Sequence, residues 1–170
     1  IGEVHLAVSG GHIRGAINTG RVRVLGSDRV VTDEDVESVF EVAKSMSIPE
    51  DREILHTVPQ HYCIKEQPYV TNPVGMEGVT LTLNMLILHG VMSRIRNTVR
   101  AVRSLPMGVA DVVFGGLCAG LAVLTPEQKE SGVVVIDLGA GTTDYVVYAD
   151  GVVAASGSIA VADNSITLPS

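Results

Sequence analysis

The sequence predicts a mixed fold, part α+β and part α/β, in which a strand–helix–strand–strand unit is inserted between segments that alternate strand and helix. Three observations predict it. Residues 13–24, with valines alternating with arginines, precede a capped amphipathic helix and two further strand-like runs. A helix, a short strand and a small-residue helix come next. The chain then turns all-β in "VVVIDLGAGTTDYVVYADG" (133–151), two strands around a glycine loop.

Taken in order, "EVHLAV" (3–8) reads as a strand that stops at the turn Ser9-Gly10-Gly11, and extended chain resumes at Ile13. Thr32 is the start signal of the first helix. Asp35, three residues on, completes a short capping box, and the acidic residues 33–35 complement the helix N-terminus. Val36, Val39, Phe40, Ala43 and Met46 fall on one face, and Pro49 closes the element. "REILHTVPQHYCI" (52–64) is a strand whose Pro59 implies an edge or a bulge. "NPVGMEG" is a turn-rich loop, and "GVTLTLNMLILHG" (78–90) is another strand.

A second helix spans 91–104, with Met92, Ile95, Val99 and Val102 on its buried face. A strand at 109–114 and a helix at 116–124 follow, and Thr125-Pro126 opens a short acidic turn. "GVVVIDL" and "TTDYVVYA" are strands joined by the glycine loop, and Asp150-Gly151 is a strong two-residue hairpin signal. The composition shift at 130–132 marks the expected domain boundary.

Bulk properties exclude several function classes. The chain has 170 residues, 46% of them hydrophobic, enough for one sizeable core or two small ones. A net charge of −7 and a pI near 5.1 argue against a nucleic-acid partner, which requires a basic surface. Arg94, Arg96, Arg100 and Arg103 recur within one helix and read as its solvated face. Cys63 and Cys118 lie far apart in apolar surroundings and read as reduced, buried thiols of a cytosolic protein. The longest apolar run, 112–124, is too short for a membrane span. Both ends are abrupt, so a fragment or excised domain is expected.

The glycine loop is the candidate site. Asp137, Gly139, Gly141, Thr142 and Thr143 sit at a tight turn between antiparallel strands. Glycines remove Cβ atoms, so backbone N–H groups can converge on phosphate oxygens. The strand-end Asp137 can hold the waters of a Mg²⁺ ion. Strand–loop–strand order excludes the dinucleotide fingerprint and the Walker loop, both of which run from a strand into a helix. His56, His61 and Cys63 carry ligand atoms, but on an extended strand only His61 and Cys63 share a face, and no fourth zinc ligand stands at standard spacing. His5, His12 and His89 are expected to pack at strand ends. "SGGHIRG" (9–15) reads as a tight connection into the inserted unit rather than an anion site.

D-x-G-x-G-T-T-D resembles the second phosphate loop of the actin, Hsp70 and sugar-kinase superfamily. "AVSGGHIRG" (7–15), residues 31–62, "NPVGMEGVTLTL" (72–83) and 124–144 are similar, in order, to the FtsA family of bacterial cell-division proteins. The resemblance implies an actin-like ATPase-domain fragment with an inserted SHS2-type subdomain. Residues 1–15 would end the first segment of subdomain 1A, 16–89 would be subdomain 1C, 90–132 the remainder of 1A, and 133–170 the start of subdomain 2A.

The implied function is that of a scaffold that binds ATP and Mg²⁺, self-polymerises, links the FtsZ ring to the cytoplasmic face of the inner membrane and recruits divisome proteins through 1C. Its FtsZ-binding subdomain and membrane-targeting C-terminal helix would follow Ser170, and its first phosphate loop would precede Ile1, so this chain holds half a nucleotide site. Two departures matter. Val161-Ala162-Asp163-Asn164 replaces the usual Val-Gly-Gly turn, and Gly115 stands where relatives carry a glutamate that can orient an attacking water. The second departure favours a nucleotide-binding structural protein over an efficient ATPase or phosphotransferase of the same superfamily. A peptide-binding pilus-assembly relative would require a different sequence between Ser9 and Gly15.

Overall fold

In a computed structural model of the chain, residues 2–26, 28–65 and 67–160 are described. The element order is β1 (Glu3–Val8), β2 (Arg14–Arg23), α1 (Asp33–Lys44), β3 (Arg52–Ile64), β4 (Gln67–Val70), β5 (Thr80–Val91), α2 (Met92–Arg103), β6 (Gly108–Phe114), α3 (Gly115–Val123), α4 (Pro126–Ser131), β7 (Val133–Leu138), β8 (Thr143–Ala149) and β9 (Val152–Ile159). They build a parallel β1-β6 pair, a four-stranded sheet in the order β2-β5-β3-β4, and a β7-β8-β9 sheet that is antiparallel throughout. The chain divides into two compact units. Unit 1 comprises residues 1–15, 48–56 and 88–170, and unit 2 comprises 16–47 and 57–87.

Unit 2 packs α1 on one face of the four-stranded sheet. Period-two alternation in β5 places Leu81, Leu83, Met85 and Ile87 on that face, where they bury against Val39 and Ala43 of α1. Val36, Phe40 and Met46 pack around this core, completing the helix stripe read from the sequence. The cap is as expected: the Thr32 hydroxyl accepts from the Asp35 amide at 3.3 Å, and the Asp35 carboxylate accepts from the Thr32 amide at 2.9 Å. Helix and sheet approach so closely that a Cβ at Gly20 would stand 2.5 Å from both the Ala43 nitrogen and the Val39 oxygen. Two residues earlier in β2, the Asn18 amide donates to the Ala43 carbonyl at 2.8 Å, satisfying a C-terminal acceptor that the helix itself cannot.

Unit 1 holds β1-β6 with α2 and α3, and the β7-β8-β9 sheet. Of the four apolar residues expected to be buried on α2, Ile95 is buried, while Met92, Val99 and Val102 are half-buried. Gly120 lets α3 lie against Tyr148 of β8, whose ring would be 3.0 Å from a Cβ at that position. No helix among the described residues is long and apolar enough to cross a membrane.

Three elements and the two cysteines differ from the sequence reading. The first helix ends at Lys44, where the Ser45 amide caps Glu41 and Val42, although Met46 still reaches the core. A short strand, β4, pairs Val70 with Tyr62 and Gln67 with Ile64. It escapes the pattern because Pro68 lies inside it and its hairpin requires a positive φ at Lys65. Residues 126–131 form a helix rather than a turn, capped reciprocally by Thr125 and Gln128. Both cysteines are free but half-buried, not buried. Pro59 sits in an interior strand, yet β4 pairs only with the far end of β3, so on that side no ladder bond is lost at Pro59.

Gly20→Ala is expected to lower unit 2 stability by about 1 to 3 kcal/mol, because the methyl group meets helix backbone and not a side chain that can rotate away. The denaturant midpoint, at unchanged slope, checks this.

Candidate functional site

The glycine loop is set by a register that runs unbroken along β7 and β8. Ile136 faces Tyr145, Asp137 faces Asp144, and Leu138 faces Thr143. The Gly139 amide donates to the Thr142 carbonyl at 2.9 Å and closes the turn, leaving Ala140 and Gly141 at its tip. Gly139 is required by close approach, since a Cβ would meet the Thr142 carbonyl at 3.0 Å, whereas Gly141 opens onto free space. Neither adopts the left-handed backbone found at Gly10, Gly75, Gly132 and Gly151. The loop is thus an open-tipped hairpin, and its glycines give access rather than alternating handedness.

Asp137 and Gly141 are exposed, Gly139 and Thr142 half-buried, and Thr143 buried. The five candidate residues are contiguous in space, but the structure adds a sixth, Asp144. It is only 3% exposed, and β9 places Ser158 opposite it. Directly opposed residues of an antiparallel sheet point to the same side, so Asp137, Asp144 and Ser158 form one row across three strands. Two carboxylates in such a row repel each other unless a cation or a strong donor stands near.

One donor is visible. The Ser9 hydroxyl, at the end of β1, donates to Asp144 Oδ2. The other oxygen, Oδ1, is buried with no hydrogen-bond partner, and so is the Ser158 hydroxyl beside it. Unpaired buried oxygens cost free energy unless water or an ion fills the site, so this pair marks where a polar ligand belongs.

The start of α3 forms the remaining wall. A Cβ at Gly115 would stand 2.9 Å from Ser9 Oγ and 3.5 Å from Asp144 Oδ2, and one at Gly116 would stand 3.3 Å from Asp144 Cβ. The helix has no side-chain N-cap hydrogen bond. Gly115 therefore abuts the Ser9–Asp144 pair, and a larger side chain there displaces Ser9 or points past it. The Phe114 amide just before the helix donates to His56 Nε2 at 2.9 Å. Burial lowers the His56 pKa, with Asp111 opposing, which keeps the ring a neutral acceptor.

His56 is thus a backbone anchor. His61 lies edge-on to Tyr69, with ring centres 5.3 Å apart. The departure at Val161-Ala162-Asp163-Asn164 lies outside the described residues. Asp144 closes the D-x-G-x-G-T-T-D motif, but its role depends on burial, which no local pattern encodes. Ser9, 135 residues away, carried no signal beyond its place in a glycine turn.

Comparison with known proteins adds an independent line. Residues 10–89 match the family model described as the SHS2 domain inserted in FtsA. Over 168 residues the chain is 38% identical to the cell division protein FtsA of Borreliella burgdorferi, covering 99% of this chain and 41% of that protein. It is 37% identical to FtsA of Escherichia coli K12, covering 98% and 39%, and 32% identical to FtsA of Pseudomonas aeruginosa, covering 98% and 40%. The chain thus spans about two fifths of the length of these curated relatives. Among solved structures, the PilM-PilN type IV pilus biogenesis complex superposes with a TM-score of 0.53 at 14% identity, covering 89% of this chain and 41% of that one, a likeness of fold.

Ser9→Ala is expected to cost about 1 to 3 kcal/mol by leaving the buried Asp144 carboxylate without its donor. Asp144→Asn in the same background should recover part of that loss. A double-mutant cycle on unfolding free energies measures the coupling.

Proposed function

We propose that the chain is the nucleotide-site half of an ATP-dependent cell-division scaffold, because residues 10–89 match the family model described as the SHS2 domain inserted in FtsA and the similarity to FtsA relatives extends over the residues on either side. In this reading residues 16–89 are the inserted subdomain, residues 1–15 and 90–132 belong to the lobe that carries it, and 133 onward opens the lobe that contributes the phosphate loop. The observation that carries it is the Asp137, Asp144 and Ser158 row, with its orphaned buried oxygens beside an open-tipped glycine hairpin.

The residues present suit a magnesium nucleotide. Asp137 is exposed at the loop and Asp144 is held by Ser9, so the two carboxylates suit a hydrated divalent cation that cancels their repulsion. Gly141 leaves the loop tip open to a phosphate, and the hydroxyls of Thr142 and Thr143 are donors of the right class. When bound, the metal would neutralise charge on the phosphates. The chain's own contribution is to position and desolvate. Gly115 carries no carboxylate at the position where the resemblance places a water-orienting glutamate, which favours binding over rapid turnover.

The wider role follows the relatives. Self-assembly into filaments, contact with FtsZ, recruitment of division proteins through the inserted subdomain, and attachment to the cytoplasmic face of the inner membrane all belong to this proposal. FtsZ binding and membrane attachment are assigned to parts of FtsA outside the two fifths that this chain spans.

Sedimentation of the longer protein with ATP and lipid vesicles tests the reading. ATP-dependent pelleting is expected, and Asp137→Ala should weaken nucleotide binding at least tenfold by removing one of the paired carboxylates. Persistent monomers with ATP and lipid would overturn the scaffold, and rapid phosphate release would replace it with a hydrolase.

A further inference from the structure

Arg52, at the start of β3, is held by two histidine residues from distant parts of the sequence. Its Nε donates to His89 Nδ1 at 2.6 Å, and its Nη2 donates to the His12 carbonyl at 2.5 Å and to the His89 carbonyl at 3.3 Å. The His12 ring is used as well: its Nδ1 accepts from the Val91 amide at 3.2 Å. Next to this, the Met92 amide donates to the Asp51 carbonyl at 2.9 Å. The cluster is close-packed, since a Cβ at Gly90 would stand 3.1 Å from His12 Nδ1.

Both contacts dictate chemistry. A guanidinium and a peptide N–H are donors only, so Nδ1 of each ring must carry a lone pair and the proton must sit on Nε2. A doubly protonated ring would set donor against donor at both places. The placement also matters. Unit 1 is made of three chain segments, 1–15, 48–56 and 88–170, separated by the two segments of unit 2. His12, Arg52 and His89 come one from each. The cluster therefore ties together the three strands of chain from which unit 2 departs and to which it returns.

We propose that Arg52, His89 and His12 form a proton-sensitive latch, which binds these three segments while both rings are neutral and releases them on acidification. The charges set against the rings are Arg52 from β3, Arg14 from β2 and Arg94 from α2, all cationic. Burial first, then Arg94 and Arg52, lowers the His12 pKa below its ordinary 6.5, while a backbone hydrogen bond opposes them. Burial, then Arg52 and Arg14, lowers that of His89. Because the folded values lie below the unfolded one, the latch contributes its full stability above a pH of about 6.5. That contribution is lost as the pH falls through the folded values.

Long-range proton–nitrogen NMR on the 170-residue chain tests the latch directly and needs no variant. Both rings are expected as the Nε2–H tautomer above pH 7, titrating below 6.5. The Val91 amide, corrected for intrinsic exchange, should lose protection about tenfold between about pH 7.5 and 5. The His12→Asn, His89→Asn double variant keeps an acceptor near each Nδ1 position but cannot titrate there, and it should hold that protection constant. An Nδ1–H tautomer at either ring, titration at or above 6.5, or an undiminished loss of protection in the double variant would overturn the proposal.

Discussion

A carboxylate shut away from water must be answered by donors or by a cation, and Asp144 is answered on one oxygen only. That constraint organises unit 1. The donor that meets it is Ser9, where β1 ends, so a side-chain hydrogen bond joins the hairpin to the strand pair β1-β6. Glycines at the start of α3 leave room for Ser9 and Asp144 beside Gly115 and for the Phe114 ring beside Gly116. His56 then fixes the peptide just before the helix.

What could be read in advance was whatever is encoded locally. The Thr32 and Asp35 cap, the stripe from Val36 to Met46, the alternation of β5 and the Asp150-Gly151 turn each express a period or a pair of neighbours, and the elements follow. The candidate loop was legible for the same reason. Its glycines lie beside the acid they serve. Asp144 stood in the quoted motif, yet its importance comes from burial, and burial comes from Ser9 and Gly115, which only the folded chain brings near. No spacing rule links residues 135 apart. Strand β4 was hidden differently: Pro68 lowers strand propensity, and a tight hairpin with Lys65 in a left-handed conformation compensates.

The two units use histidine in contrasting ways. In unit 1, His12, His56 and His89 each accept a hydrogen bond at a ring nitrogen, and burial lowers all three pKa values. Each spends its polarity on backbone or arginine at a junction. In unit 2, His61 presents its ring to Tyr69, and its Nε2 is buried without a partner. His56, which suggests metal ligation in one dimension, is in unit 1 a fastener of the backbone at Phe114.

The outermost position of β2 in its sheet has a consequence for behaviour at high concentration. A ten-residue border strand presents bare peptide groups to which another copy's border strand can zip. Here Arg21 and Arg23, two apart and exposed, share one side of that border with Ile17 and Thr19. Where two such borders meet in antiparallel register about Val22, Arg21 of each stands opposite Arg23 of the other, and like charges so opposed disfavour the pairing. The arginine punctuation that marks the segment as a strand thus also works against that mode of fibre growth.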